Sequence, residues 1–197
     1  MKRRALFRVS LAILPVTGLL AAENSSPALT LAGIDGKTYE PLHPGDRKAA
    51  VIFFISPYCS TSNTFAPEMN AIVADHGADF AFRFVHSDTS VKPADILQHT
   101  ELMEIKAPVL MDSSQALAKK LGVGVTPEVV VIGSDSGVLY QGRINDLYKG
   151  PTRRQREATT RDLRDALEAI RDGKPVPLAK TEAVGCEIGG LKEKKGK

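Results

Sequence analysis

The run AAVIFFI at positions 49–55 constrains this chain more than any other stretch. It holds no polar residue, and Val, Ile and Phe fill its last five positions. A strand with one wet face alternates apolar and polar residues. An unbroken β-favouring run instead marks a strand buried on both faces, in a sheet covered by helices on two sides. The rest of the chain must therefore supply those helices and the neighbouring strands.

The flanking sequence does so. LTLAGIDGKTYEPL (29–42) alternates about Asp35-Gly36, a two-residue hairpin signal. Beyond SPYCSTSN (56–63), Phe65, Met69, Ile72 and Val73 recur at helical spacing, predicting a helix from near Ser62 to a stop at Gly77. Residues 80–88 read as a strand, Pro93 opens a short helix, and 107–112 is a brief strand. A helix over 113–123 takes Ser113 or Ser114 as its N-cap. A second apolar strand over 126–133 turns at 134–137 and returns antiparallel over 138–144. The longest helix is expected over 152–173, with Ala158, Leu163, Ala166, Leu167 and Ile170 apolar and Gly173 closing it. No internal repeat is present. This order predicts an α/β fold: a mixed central sheet flanked by helices, with an N-terminal β-hairpin, in one domain over 30–173. Residues 174–197, rich in Pro, Gly and Lys, are expected to form an irregular C-terminal tail.

The N-terminus points to export. MKRR is basic, LAILPVTGLLAA is apolar and ends in small residues, and no acid precedes Glu23. This is the layout of a signal peptide over 1–22, cleaved near Ala22, with 23–29 a linker; a retained anchor is the alternative. The apolar run is short for a membrane span, so no stable membrane insertion is expected after cleavage, and a periplasmic or secreted location follows. Of 26 basic and 23 acidic residues, Lys2, Arg3, Arg4 and Arg8 lie in the signal, which leaves the mature chain at −1. The remaining basic residues are interspersed with acids and not interleaved with aromatics, which argues against nucleic acid as a partner.

Export places the two cysteines, Cys59 and Cys186, in an oxidising compartment, where one intramolecular pairing is open to them. Cys59 falls where a strand gives way to a helix. Unpaired N–H groups and the helix dipole there favour thiolate over thiol, and thiolate is the nucleophile. Three readings of Cys59 stand at this point: a working nucleophile, half of a static disulfide, and a small core residue. The histidines His43, His76, His86 and His99 lack metal-ligand spacing.

An apolar strand, Cys59, a gap of two, Ser62, and Pro67 eight residues after the cysteine together resemble the active-site segment of thioredoxin-fold proteins. The match is a CxxS, with Ser62 where that family places a second cysteine. GVTPEVVVI resembles the loop that carries the family's cis-proline, which would make Thr126-Pro127 the cis peptide. CSTSNTFAPEM, VTPEVVVI, GRINDLY and TEAVGCEI narrow the resemblance to exported redoxins related to alkyl hydroperoxide reductase and thiol-specific antioxidant proteins. It spans roughly Leu29 to Gly173.

The resemblance implies a thioredoxin fold and a thiol–disulfide oxidoreductase or thiol peroxidase acting through Cys59. Ser62 would hydrogen-bond the thiolate. Thr126, Pro127 and Arg143 would line the substrate groove. Cys186 would resolve the intermediate from a mobile tail, because no cysteine stands at position 62. No cofactor and no metal are implied; partners would be a thiol or disulfide protein or a small peroxide. The sequence departs from the peroxiredoxin PxxxTxxC motif, with Ile52 at the proline position and Ser56 at the threonine. The alternative reading is a non-catalytic binding module of the same fold. Its Cys59–Cys186 disulfide would be structural, or it would handle copper through both cysteines and His86 or His99.

Overall fold

A computed structural model describes residues 28–191. The predicted signal peptide, most of the linker and the last six residues lie outside that range. Nine strands and four helices are described, in the order β1 (Leu31–Gly33), β2 (Thr38–Tyr39), β3 (Ala49–Phe54), α1 (Ser60–His76), β4 (Phe80–His86), α2 (Pro93–Leu102), β5 (Val109–Met111), α3 (Ala116–Leu121), β6 (Val125–Thr126), β7 (Glu128–Gly133), β8 (Val138–Gly142), α4 (Asp162–Arg171) and β9 (Cys186–Glu187). Seven strands form one sheet in the order β2-β1-β5-β4-β3-β7-β8. The β3–β4 and β4–β5 pairs are parallel, while β3–β7, β7–β8, β1–β5 and β1–β2 are antiparallel. This is the mixed sheet of a thioredoxin fold, as the sequence predicts.

All six residues of β3 are buried, and alternate ones face different cores. Val51 and Phe53 point into a cluster with Phe65, Met69 and Ile72 of α1, Ile96 of α2 and Leu163 and Leu167 of α4. Ile52 and Phe54 point the other way, towards Leu117 and Ala118 of α3. The strand lacks polar residues because neither side chain set meets water.

Three helix expectations need correction. First, α1 begins at Ser60, not Ser62, with Cys59 as its N-cap. Second, neither Ser113 nor Ser114 caps α3; the N-cap is Gln115 in the left-handed region, and the Asp112 carboxylate accepts the Leu117 and Ala118 N–H groups at 3.2 and 3.0 Å. Third, the long helix expected over 152–173 is helical only from Asp162. Upstream, the buried Asp146 carboxylate accepts the N–H groups of Thr159 and Thr160 at 2.6 and 2.9 Å and so draws that segment into a loop.

The tail is not an irregular appendage. Lys180 bridges to Gln141 of β8, β9 pairs antiparallel with β6, and Ile188 is 3% exposed within the α3-side core. Thr181 crosses Gly142, where a Cβ would overlap its hydroxyl and carbonyl; Gly185 crosses Thr126 in the same way. Two glycines thus make room for the segment.

Candidate functional site

The site begins with a strand running out of apolar residues. Past Ile55, the chain folds into a tight turn in which the Cys59 N–H donates to the Ser56 carbonyl at 3.2 Å and the Tyr58 N–H to the Ser56 hydroxyl at 3.3 Å. Cys59 has extended backbone angles (φ −102°, ψ 107°), and its Sγ accepts the Ser62 N–H at 3.4 Å. A cysteine sulfur therefore takes the capping position usually held by a Ser or Asp oxygen. No acidic residue occupies the first turn of α1, so only the positive helix end faces the sulfur.

Cys59 is disulfide-bonded to Cys186, with 5.8 Å between the two Cα atoms. Cys186 arrives on β9, whose partner strand β6 ends at Thr126, and the Thr126-Pro127 peptide is cis. The Thr126 carbonyl oxygen lies 2.9 Å from the Cys59 sulfur. Cys59 is 1% exposed, while Cys186 is only half-buried. The segment holding Cys186 is pinned on both sides. Upstream, the Thr181 N–H donates to Gln141 O at 3.0 Å. Downstream, the Ile188 N–H donates to Gly124 O at 3.0 Å and the Gln115 amide to Gly189 O at 2.8 Å. A freely mobile resolving tail is not what these anchors describe.

The structure gathers Cys59, Ser62, Thr126, Pro127 and Cys186. The Ser62 hydroxyl, however, accepts the Ser56 N–H at 3.3 Å, and its contact with sulfur is through its backbone N–H. Arg143 is held elsewhere. Its guanidinium bonds both Asp162 oxygens, at 3.0 and 3.1 Å, and that pair holds its pKa above the usual arginine value. That pair directs the guanidinium to Asp162, and among the described residues no hydrogen bond joins it to either cysteine.

A second row of residues adjoins Cys59, of which the sequence names His86 and His99 only as alternative copper ligands and leaves Asn63 and Glu128 unmarked. Asn63 donates its backbone N–H to the Cys59 carbonyl at 3.0 Å and its side-chain amide to the Pro57 carbonyl at 3.2 Å. Its remaining oxygen lies 2.9 Å from His99 Nε2. With the amide so oriented, His99 must carry its proton on Nε2. His99 packs edge-on against His86 at 5.4 Å between ring centres; both rings are buried, and neither His99 Nδ1 nor either His86 nitrogen has a partner among the described residues. Burial lowers the pKa of both, and with His99 close by it takes His86 down to about 3. Both are neutral near pH 7. Glu128, directly after Pro127, accepts from Gln141 at 2.8 Å and from the Gly124 N–H at 3.4 Å; burial holds its carboxyl above the ordinary range. The signal for Asn63 was its place in the first turn after a candidate N-cap. Nothing in the sequence marked His86 as its neighbour's partner.

Among the described residues, no three side chains of His, Cys, Asp or Glu converge as metal ligands, and no helix is long and apolar enough to cross a membrane.

Comparison with known proteins agrees with this fold. A family model described as Redoxin matches residues 21–157. No curated protein matches the chain. Among solved structures, an uncharacterized conserved protein from Geobacillus kaustophilus is 24% identical, covering 85% of this chain and 90% of its own, with a TM-score of 0.73. A hypothetical protein from Sinorhizobium meliloti is 22% identical over 84% and 92%, with a TM-score of 0.72. A secreted disulfide oxidoreductase from Mycobacterium tuberculosis, homologous to E. coli DsbE, is 16% identical over 72% and 96%, with a TM-score of 0.54. At these identities the likeness is one of fold.

Proposed function

The chain belongs to the Redoxin family, and from that premise we propose that it is an exported thiol–disulfide oxidoreductase whose working couple is Cys59–Cys186. One observation carries the proposal: a disulfide joins the N-cap of α1 to a half-buried cysteine beside the Thr126-Pro127 loop. The fold shared with a secreted disulfide oxidoreductase supports it.

The geometry orders the steps. A thiolate attacks a disulfide sulfur in line with the bond it breaks. Cys59 is 1% exposed, so an incoming thiolate does not reach its sulfur, whereas Cys186 is half-buried. Attack on Cys186 comes from outside. A donor thiolate therefore bonds to the Cys186 sulfur, the S–S bond breaks, and Cys59 leaves as thiolate. The Ser62 N–H and the helix end stabilise that thiolate, and a leaving group of lower pKa departs faster. A second donor thiolate attacks the donor sulfur of the mixed disulfide. Cys186 is released and takes a proton, the donor ends as its disulfide, and the protein has gained two electrons. In the other direction, the Cys186 thiolate attacks a partner's disulfide, and one partner sulfur leaves as thiolate. The Cys59 thiolate, beside which the anchors hold Cys186, then attacks the Cys186 sulfur, re-forming the Cys59–Cys186 bond and releasing the second partner thiolate. Thr126 and Pro127 shape the surface where the partner's sulfur sits.

Peroxide reduction is the less supported chemistry, because Arg143 is committed to Asp162 and Ile52 is a buried strand residue in place of the motif proline. Equilibration with thiol–disulfide buffers tests the proposal. A reduction potential above about −300 mV, with insulin reduction that is lost in Cys59→Ser, is expected. A potential below that value with no turnover would make the bond a structural staple.

A further inference from the structure

The segment that periodicity assigns to a helix is instead a braced hairpin carrying arginines. Gln155 N–H donates to Leu147 O at 2.8 Å, Lys149 N–H to Arg153 O at 2.9 Å and Arg153 N–H to Gly150 O at 3.0 Å, and Tyr148 bridges antiparallel to Arg154. Arg153, Arg154 and Arg156 are exposed, and none has a carboxylate partner among the described residues. Arg143, Arg161, Arg164 and Arg171 each do. The one acid of the segment 147–158 is Glu157.

Three like charges close together repel, so something must hold them. Asp146, 0% exposed, accepts from Lys149 Nζ at 2.7 Å at one end of the segment and from Thr159 and Thr160 at the other. The hairpin is also fastened to the redox helix. The Tyr148 ring packs on Phe65 at 5.9 Å, its hydroxyl lies 3.3 Å from the Thr64 hydroxyl, and Thr64 donates to the carbonyl of Ser60, the residue after Cys59. The cross-strand neighbour of Arg154 thus touches the first two turns of the helix that Cys59 caps.

We propose that this hairpin is the recognition surface for an acidic thiol or disulfide protein, whose carboxylates flanking its own cysteine pair with Arg153, Arg154 and Arg156. This rests on the redox reading above. Arginine suits the task, since its planar fork takes a carboxylate in two hydrogen bonds.

The test uses the oxidised full chain and short synthetic peptides with one cysteine flanked by aspartates, serines or lysines. Second-order rates of reduction of the Cys59–Cys186 bond are expressed per peptide thiolate and divided by the dithiothreitol rate of the same protein. At low salt the aspartate peptide should exceed the serine peptide by about tenfold, as charge steering allows, with the lysine peptide slower still. The preference should vanish near 0.5 M salt, where screening acts within roughly 4 Å. It should also vanish in the triple variant Arg153→Ser, Arg154→Ser, Arg156→Ser. Equal rates for the three peptides, or a preference that survives in the triple variant, would overturn the proposal. Failure of dithiothreitol itself to reduce the bond would instead strike the redox reading.

Discussion

Truncating Ile188 to alanine should change the redox equilibrium of a bond two residues away. Ile188 is 3% exposed within the core formed with α3, and its N–H is bonded to Gly124. Deleting a buried isoleucine side chain to the β-carbon costs about 2–4 kcal/mol in well-packed sites. In the reduced protein that anchor keeps Cys186 beside Cys59, so losing it lowers the effective concentration of one thiol at the other. The oxidised protein keeps the two residues together covalently and loses less. The difference, at most the docking energy, falls on the disulfide. For a two-electron couple about 1.4 kcal/mol corresponds to roughly 30 mV, so the potential of Ile188→Ala should become less negative by up to about 40–90 mV. Equilibration against dithiothreitol buffers, with the two forms separated after alkylation, reads this directly. A potential within about 10 mV of the parent, in a variant whose reduced tail is cleaved readily by protease, would refute the anchor argument.

Other perturbations follow from the same geometry. In the reduced Cys186→Ser protein, His99→Leu should raise the Cys59 thiol pKa by about 0.5–1 unit, the worth of one lost hydrogen bond in the row that steadies the turn. His99→Gln keeps an N–H donor near the Nε2 position and should restore it, both read by thiolate absorbance at about 240 nm. His86 has a folded pKa depressed to about 3, largely by burial, against about 6.5 unfolded, so the unfolded state binds the proton first. Stability to urea should therefore fall as pH drops below about 6.5 and keep falling towards 3, and His86→Phe should flatten that slope. For Asp146, burial alone would raise the carboxyl pKa, but the Lys149, Thr159 and Thr160 donors outweigh it and hold it well below the usual range. Its contribution is present above the unfolded value of about 3.9 and is lost only at lower pH, so Asp146→Asn should cost about 2–3 kcal/mol across pH 5–8 by urea unfolding.

Much of the fold is legible because its signals are local. The unbroken run of β3 announces burial on two faces, and the alternation about Asp35-Gly36 announces a hairpin. Pro93 announces a helix start. Periodicity extends the long helix into 152–161, where Ala158 fits its apolar face. There a buried carboxylate from thirteen and fourteen residues earlier competes for the Thr159 and Thr160 N–H groups, and a window of a few helical turns does not contain that competitor. Tail residues 180–188 looked structureless for a related reason. Strands of two residues have no period to read, and their partners lie some forty to sixty positions away.

The sequence by itself determined that Cys59 would stand at a helix start, since an apolar strand ending in SPYCSTSN leaves the chain little else to do. It also determined, by offering only Cys186, which sulfur would be its partner if it had one. Only the tertiary structure decided that the partner is held in place rather than loose, that Ser62 meets the sulfur through its backbone, and that Arg143 belongs to Asp162. Periodicity reports which side chains avoid water. It carries no information on which distant polar groups meet, because hydrogen bonds between segments depend on where the sheet and helices bring them, and that is settled only when the whole core has packed.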